Sequence, residues 1–162
     1  SFEIQQGLIF EKDQLSVTAF DVDHGGGVKH AFGYKIMYKN RSVVISGDTN
    51  YSSNLVSYAK NSDLLIHEIA DAPLSIINKY PKVKGLMNYH TTPEEMARVI
   101  NEAGPRYTVL THMLLLGGIS ETDVLNKVKS LINNKAEVEL AYDLMAIDVK
   151  DNIRTYSIDY EK

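Results

Sequence analysis

Apolar and polar residues alternate along the first third of the chain in a pattern typical of β-strands. Residues 2–10, 15–21 and 31–38 are rich in β-branched and aromatic side chains and are separated by polar or glycine-containing turns. This pattern predicts three strands that form a meander. A shorter apolar run at residues 42–45 ends just before Gly47, which favours a strand buried on both faces.

Helical patterns alternate with strand patterns after residue 50. Residues 52–60 are predicted to form a helix, and the run DLLIHE at residues 63–68 is predicted to form a second buried strand. The strongest helix start follows, because Thr92 suits the N-cap, Pro93 suits the first helical position and Glu95 completes a capping box. The apolar face and the stop signal of this helix are Met96, Ala97, Ile100, Ala103, Gly104 and Pro105.

The last third of the chain continues the alternation. A strand is predicted at residues 107–111, and it delivers His112 at its end. Ser120 starts a second helix, and short strands follow through residue 158. The buried side of the second helix is predicted at Val124, Leu125, Val128, Leu131 and Ile132.

Polar side chains stand where the predicted buried strands end. Asp48 follows the run VVIS, and His112 follows YTVLT. His67 and Glu68 end the DLLI run, and His90 directly precedes the capped helix. Because parallel strands present their C-terminal ends at one edge of a sheet, four of these side chains are expected to converge there, and His90 joins them if the loop before its helix lies on the same edge. The sequence therefore predicts a functional site at this edge.

The composition narrows the chemistry of such a site. A chain of 162 residues that is 44% hydrophobic can bury one sizeable core, so one domain is expected. Since no apolar run reaches the roughly 18 residues of a membrane span, we expect a soluble protein without a membrane partner, in the cytoplasm or the periplasm. The chain has no cysteine, so any metal site must use His, Asp or Glu.

Each candidate residue also has an ordinary structural explanation. Asp48 alone is compatible with a simple turn or Asx cap, and His112 alone with a half-buried histidine. Taken together, however, three histidines and two acids lie at element ends in a chain that has only five histidines. This combination favours a metal site of the zinc type.

Several short motifs resemble one known family. SGDT, LLIHE, YHTTPEE and VLTHM occur in this order, and AFDVDHGGGVKHAFGYKI precedes them. Together they resemble the C-terminal half of metallo-β-lactamase-fold hydrolases, in the branch of ribonuclease Z and the arylsulfatase-like enzymes. The resemblance extends from about residue 15 to the end. It implies an α/β fold in which residues 1–162 form the C-terminal half of a four-layer αββα sandwich.

The resemblance also implies roles for individual residues. Asp48 would bridge two metal ions at the catalytic centre, and His112 would bind the second ion. His90 would be the catalytic residue that protonates the leaving group. His67 and Glu68 would orient His90 or a metal ligand.

The chemistry implied by the resemblance is ester hydrolysis by a hydroxide held between two zinc ions, or two manganese ions. A phosphate, sulfate or carboxylic ester is expected as substrate, and His24 is expected to line its pocket. Two alternatives stay open, a ribonuclease Z-type tRNA 3′ endonuclease and a non-catalytic fragment or interaction module. The net charge of −4 favours a small anionic ester over RNA, because phosphate contacts need clustered Lys and Arg.

The early HxHxDH motif of the family, which supplies most of its metal ligands, has no match in these residues. We therefore expect that the N-terminal half of the same domain is missing from this chain, is its partner, and is needed for activity. A half-sandwich would expose the inner apolar face of its sheet, so retention of the other half or formation of a homodimer is expected.

Overall fold

A computed structural model describes residues 3–28, 30–133 and 135–158 of the protein. This part of the chain forms one seven-stranded sheet and one two-stranded hairpin. The strands are β1 Gly7–Lys12, β2 Leu15–Asp21, β3 Phe32–Tyr38, β4 Arg41–Ile45, β5 Leu64–Asp71, β6 Tyr107–Leu115, β7 Glu137–Leu140, β8 Met145–Val149 and β9 Ile153–Ser157. The helices are α1 Ser53–Ala59, α2 Leu74–Lys79, α3 Pro81–Met87, α4 Pro93–Ala103 and α5 Glu121–Leu131.

The large sheet has its strands in sequence order, from β1 to β7. The first four strands are antiparallel neighbours, which confirms the predicted meander. From β4 onwards the neighbouring strands are parallel. The C-terminal ends of β4, β5 and β6 therefore meet at one edge of the sheet, called the metal edge below.

The main core lies between one face of this sheet and three helices. Val44, Leu65 and Leu110 from adjacent strands are fully buried in the same cluster as apolar side chains of α1, α4 and α5. The ring of Phe20 stacks on Tyr58 with 4.4 Å between the ring centroids. Burying an aliphatic or aromatic side chain of this size stabilises the fold by about 1.5–3 kcal/mol, so this face fixes the helices above the parallel strands.

The predicted signals at the ends of α4 are confirmed. Thr92 and Glu95 form a capping box, in which the Thr92 backbone N–H donates to Glu95 Oε2 at 2.9 Å. Gly104 ends the helix in the left-handed conformation with φ of 64°. Because the cap fixes where α4 begins, it also fixes the loop that carries His90.

Helix α5 begins as predicted but ends differently. Ser120 is its N-cap, and Val124 and Val128 are buried. Leu131 was expected on the buried side, but this prediction is wrong, because the side chain is 44% exposed. Leu131 is the last residue of the helix, and the next residue, Ile132, packs against the core instead.

Other differences concern element lengths. The predicted strand at residues 2–10 begins at Gly7 in the structure, and Phe2 lies outside the described residues. Strands β5 and β6 continue past their predicted ends, to Asp71 and Leu115. Helices α2 and α3 were not predicted, since they have only six and seven residues and Pro81 lies where α3 begins. Among the described residues, no helix is long and apolar enough to cross a membrane.

A charged cluster closes the opposite edge of the sheet. Asp63, just before β5, accepts hydrogen bonds from the Ser42 backbone N–H at 2.9 Å and from the Arg106 guanidinium at 2.5 Å. Burial would raise the pKa of Asp63, but the Ser42 hydrogen bond and the Arg106 and Arg41 guanidinium groups outweigh it and lower the pKa below its ordinary value. The ionised carboxylate thus joins the starts of three neighbouring strands.

Candidate metal centre

The predicted polar residues all lie at the metal edge. Asp48 follows β4, Glu68 lies within β5, and His112 lies within β6. His90 lies in the loop between α3 and α4, and His24 in the loop between β2 and β3. The side chains are therefore supplied by three adjacent parallel strands and two loops.

Three of these side chains are close enough to bind one metal ion, and His112 lies beside them. One ligand atom from each of His24, Asp48 and His90 lies within 4.8 Å of the others. His112 Nε2 is 3.5 Å from Asp48 Oδ2. The ring centroids of His24 and His90 are 5.3 Å apart, and those of His90 and His112 are 5.9 Å apart. We call these four residues the histidine–aspartate cluster.

Gly47 determines how Asp48 enters the cluster. Its φ of +63° is in the left-handed region, and a Cβ atom here would lie 2.5 Å from the Phe32 carbonyl oxygen. Only glycine accepts both conditions without strain or displacement. The SGDT motif therefore places a carboxylate beside the strand end by a turn that a larger residue cannot make.

A β-bulge places His112. In the parallel pairing of β5 with β6, Glu68 faces Thr111 and Ile69 faces Met113, so His112 is an extra residue without a partner. Its φ of 43° is positive, which is uncommon for a residue other than glycine. Such bulges redirect a side chain and are frequent next to active sites. The sequence predicted His112 at the end of a strand, whereas the strand continues through it.

Glu68 organises the inner side of the cluster. Its Oε1 accepts hydrogen bonds from the backbone N–H groups of Thr91 at 2.8 Å and Thr49 at 3.4 Å, and its Oε2 lies 3.1 Å from His90 Nδ1. Because Thr49 follows Asp48 and Thr91 follows His90, one buried carboxylate ties together both loops. This contact agrees with the predicted orienting role of Glu68, which stays a prediction.

Burial controls the protonation of this pair. It raises the pKa of Glu68 to about 8, against the lowering effect of the Thr91 and Thr49 hydrogen bonds. It also lowers the pKa of His90, although the negative charge of Asp48 acts in the opposite direction. Both changes favour a neutral pair, so one proton is shared between Glu68 Oε2 and His90 Nδ1 near neutral pH.

His67 is buried beside this pair, and its predicted role of orienting His90 or a ligand stays a prediction. Its Nδ1 lies 2.7 Å from the backbone carbonyl oxygen of Glu68. Burial lowers the pKa of His67 to about 4, so the imidazole is neutral at physiological pH and its Nδ1–H donates to that carbonyl. The described hydrogen bond thus supports the backbone of Glu68 rather than the ring of His90.

His24 lies nearer the cluster than a pocket lining requires. Its Nδ1 is 3.0 Å from the Tyr89 carbonyl oxygen, so Nδ1–H donates and Nε2 keeps its lone pair. Sequence reasoning placed His24 only in the substrate pocket, because nothing in DHGGG shows that the loop folds back onto Tyr89. Its role in substrate or metal binding stays a prediction.

The donor set fits a divalent metal ion. One carboxylate and three imidazoles are grouped together, and two of the imidazoles have one nitrogen held by a carbonyl or carboxylate oxygen. That arrangement is characteristic of metal-binding histidines, because the held nitrogen orients the free one. Asp48, His112 and His24 give three donors when Nε2 of His90 keeps its proton, and three protein ligands are the usual number at a catalytic zinc site.

Comparisons with known proteins give a consistent result. The family described as "Beta-lactamase superfamily domain" matches residues 1–113. The ribonuclease Z of Bacillus subtilis (strain 168) is 26% identical to this chain over an alignment of 198 positions. The alignment covers 91% of this chain and 61% of that protein. The chain thus spans less than two thirds of this relative.

Two solved structures resemble the chain. Human tRNase Z, short form, has a TM-score of 0.57 and 26% identity, covering 88% of this chain and 46% of that chain. The metallo-β-lactamase fold protein YhfI from Bacillus subtilis has a TM-score of 0.62 and 22% identity, covering 82% of this chain and 48% of that chain. At its level of identity the second likeness concerns the fold alone.

Proposed function

This chain belongs to the beta-lactamase superfamily, and from that premise we propose that its metal edge hydrolyses phosphodiester bonds in RNA as part of a ribonuclease Z-like enzyme. The predicted α/β fold class is confirmed, because the chain matches the family and has the metallo-β-lactamase fold. The relatives support the ribonuclease Z alternative better than the small anionic ester that the acidic composition favoured.

One observation supports the proposal more than any other. The imidazole of His90 is held through Nδ1 by the buried carboxyl group of Glu68, and it lies beside Asp48 and His24 at the metal edge. Nε2 is then the nitrogen available to a bound substrate. A proton donor beside a metal-binding carboxylate is what cleavage of a phosphodiester requires, because the departing ribose oxygen must gain a proton.

The residues divide into two groups under this proposal. Asp48, His112 and His24 would hold the metal, which when bound acts as a Lewis acid and lowers the pKa of water. His90 would release the proton on Nε2 to the departing oxygen. Glu68 would replace that proton through Nδ1, since its Oε2 lies 3.1 Å away.

A second ion would need more ligands than the histidine–aspartate cluster offers. We propose that these ligands come from the N-terminal half of the same domain, whose HxHxDH motif has no match in residues 1–162. The chain spans 61% of the Bacillus subtilis relative, which is consistent with this division of the site. Zinc is the first ion to test and manganese the second, because the donors are imidazoles and carboxylates.

The test uses metal-loaded protein expressed from the complete gene, with a precursor tRNA and with bis(p-nitrophenyl) phosphate as substrates. We expect cleavage of both, and we expect Asp48→Ala and His112→Ala to lose bound metal and at least about 100-fold in kcat/KM. His30→Ala is the matched control, because His30 stacks on Phe32 and is not among the grouped ligand atoms of the described residues. Hydrolysis of neither substrate by the metal-loaded wild type would refute the proposal.

A further inference from the structure

Residues 72–89, which connect β5 to His90, form a surface that the metal site does not explain. They contain Lys79, Lys82 and Lys84, and no acidic residue occurs between Asp71 and Glu94. The whole chain has a net charge of −4, so this segment has the opposite sign to its surroundings. We call residues 72–89 the lysine segment.

The lysine segment borders the histidine–aspartate cluster directly. The Asn88 carbonyl oxygen accepts a hydrogen bond from Asn50 Nδ2 at 3.2 Å, and Asn50 is two residues after Asp48. The next carbonyl, that of Tyr89, accepts the hydrogen bond from His24. Helix α3 has seven residues, which is about 10 Å of helix, so its lysines lie a short distance from the loop of His90.

The inner face of the lysine segment is fixed by apolar contacts. Ile77, Val83 and Met87 pack in one cluster with Ala70, Ala72, Leu114 and Leu116. Helices this short are not stable alone, so these contacts with the ends of β5 and β6 hold them in place. The lysine side chains are exposed on the outside.

The charges of the lysine segment are not neutralised within the described chain. Ion pairs there involve the cationic side chains Arg41, Arg98, Arg106, Lys127 and Lys150, and none involves a lysine of this segment. Between α2 and α3, Tyr80 is 45% exposed, and Lys79 Nζ lies 5.2 Å from the centroid of its ring. Positive side chains with an interleaved aromatic ring are typical of surfaces that bind single-stranded nucleic acid.

We propose that the lysine segment binds the phosphate backbone of RNA next to the bond that is cleaved, and that Tyr80 stacks on an unpaired base. This inference rests on the proposed function, in which RNA is the substrate. An exposed lysine is usually only solvated, but here three of them lie in a segment whose end contacts the cluster, and they have no carboxylate partner among the described residues. The surface would hold the strand so that the scissile phosphate reaches Asp48 and His90.

The expected size of the effect follows from counterion release. Each phosphate contact on a single strand contributes about −0.7 to the slope of log affinity against log salt. Three lysines should therefore account for a slope of about −2. Between 50 and 200 mM salt, that slope corresponds to about a 20-fold loss of affinity.

The experiment measures binding of a fluorescein-labelled single-stranded RNA by anisotropy, from 50 to 200 mM KCl, with metal-loaded protein from the complete gene. The test variant is Lys79→Gln/Lys82→Gln/Lys84→Gln. We expect weaker binding than wild type at 50 mM KCl and a salt slope smaller in magnitude by about 2. Tyr80→Ala should weaken binding with little change in slope, because stacking involves no counterions.

The matched control is Lys12→Gln/Lys39→Gln/Lys129→Gln. These lysines are equally exposed, and they lie at the end of β1, in the β3–β4 turn and in the last turn of α5, all at the opposite edge of the sheet. Lys39 also lies 5.2 Å from the ring of the neighbouring Tyr38, which matches the Lys79–Tyr80 contact. This control should bind RNA with the slope of the wild type.

The outcomes separate this inference from the proposed function. An equal change of slope in both triple variants, or no RNA binding by the wild type, would overturn the inference. If the wild type binds RNA through the lysine segment but does not cleave it, the inference is supported and the proposed function is not. Hydrolysis of bis(p-nitrophenyl) phosphate should be unchanged in the lysine variant, since that substrate has no backbone to extend beyond the metal edge.

Discussion

Replacing Glu68 by glutamine and by alanine separates two roles of this buried side chain. One is to hold the two loops by hydrogen bonds, and the other is to supply a proton to His90. Glutamine keeps an oxygen that can accept from the Thr91 N–H, and its amide can donate to His90 Nδ1. Alanine removes both partners. The two substitutions are made at a side chain that is only 1% exposed, so solvent cannot replace what is lost.

The expected loss of stability follows from the hydrogen bonds that each substitution removes. Glu68→Ala leaves the Thr91 backbone N–H and His90 Nδ1 without the partners that lie at 2.8 and 3.1 Å. An unpaired buried donor or acceptor costs about 1–3 kcal/mol, so the loss should be about 4 kcal/mol for the two. Glu68→Gln should cost less than about 1 kcal/mol at pH 7, because the neutral carboxyl and the amide have a similar size and each offers one acceptor oxygen and one donor.

The pH dependence gives the prediction a second signature. Burial raises the pKa of Glu68 to about 8 in the folded protein, so the folded state holds its proton more tightly than the unfolded state does. The stability from this proton is complete below the ordinary pKa of about 4.3 and is lost as the pH rises through 8. Glutamine has no such proton, so the wild type should lose stability relative to Glu68→Gln between about pH 5 and pH 9.

The assay is urea unfolding of chelator-treated protein at pH 5, 7 and 9, with the free energy of unfolding taken from the midpoint and slope. The reasoning is refuted if the two variants lose the same stability at pH 7. It is also refuted if the difference between wild type and Glu68→Gln does not change with pH. Activity gives an independent check, because the amide can donate a hydrogen bond to Nδ1 but cannot transfer a proton to it, so Glu68→Gln should strongly impair turnover even where the fold is intact.

Two further substitutions test other parts of the fold. Gly47→Ala should destabilise the protein by about 2 kcal/mol or more and weaken metal binding, because the new Cβ meets the Phe32 carbonyl oxygen at 2.5 Å. Gly118→Ala is the control, measured in the same unfolding and metal-binding assays, since its φ of +83° is also left-handed but the space around it is open. Asp63→Asn should cost about 2 kcal/mol at pH 7. Because the pKa of Asp63 is lowered, urea unfolding should show this difference shrinking as the pH falls below about 4, and a constant difference would contradict it.

The metal edge could be predicted from the sequence because its candidate residues lie next to clear strand and helix signals. Asp48 stands after an apolar run and Gly47, and His90 stands before the capping box of α4. These features are local in sequence, and parallel pairing then brings the strand ends together. The sequence therefore predicts where Asp48 lies, whereas the position of His90 depends on the path of the loop between α3 and α4.

The rest of the site depends on contacts that local sequence does not encode. Glu68 reaches the backbone N–H groups of Thr49 and Thr91, which lie 19 and 23 residues away. His24 reaches the cluster through a carbonyl 65 residues further along the chain. Helices α2 and α3 were missed for the same reason, because their stability comes from packing on the ends of β5 and β6 rather than from their own periodicity.

The extra residue at His112 shifts the register between β5 and β6 by one position. Before it, Thr111 is opposite Glu68, and after it Met113 is opposite Ile69, so the alternation continues but is offset by one position. Deletion of this residue, unlike its substitution, would restore an uninterrupted ladder and remove the histidine in the same step. A shortened chain would therefore be more regular in structure but would lack one of the proposed metal ligands, because His112 is present only where the periodicity of the strand is broken.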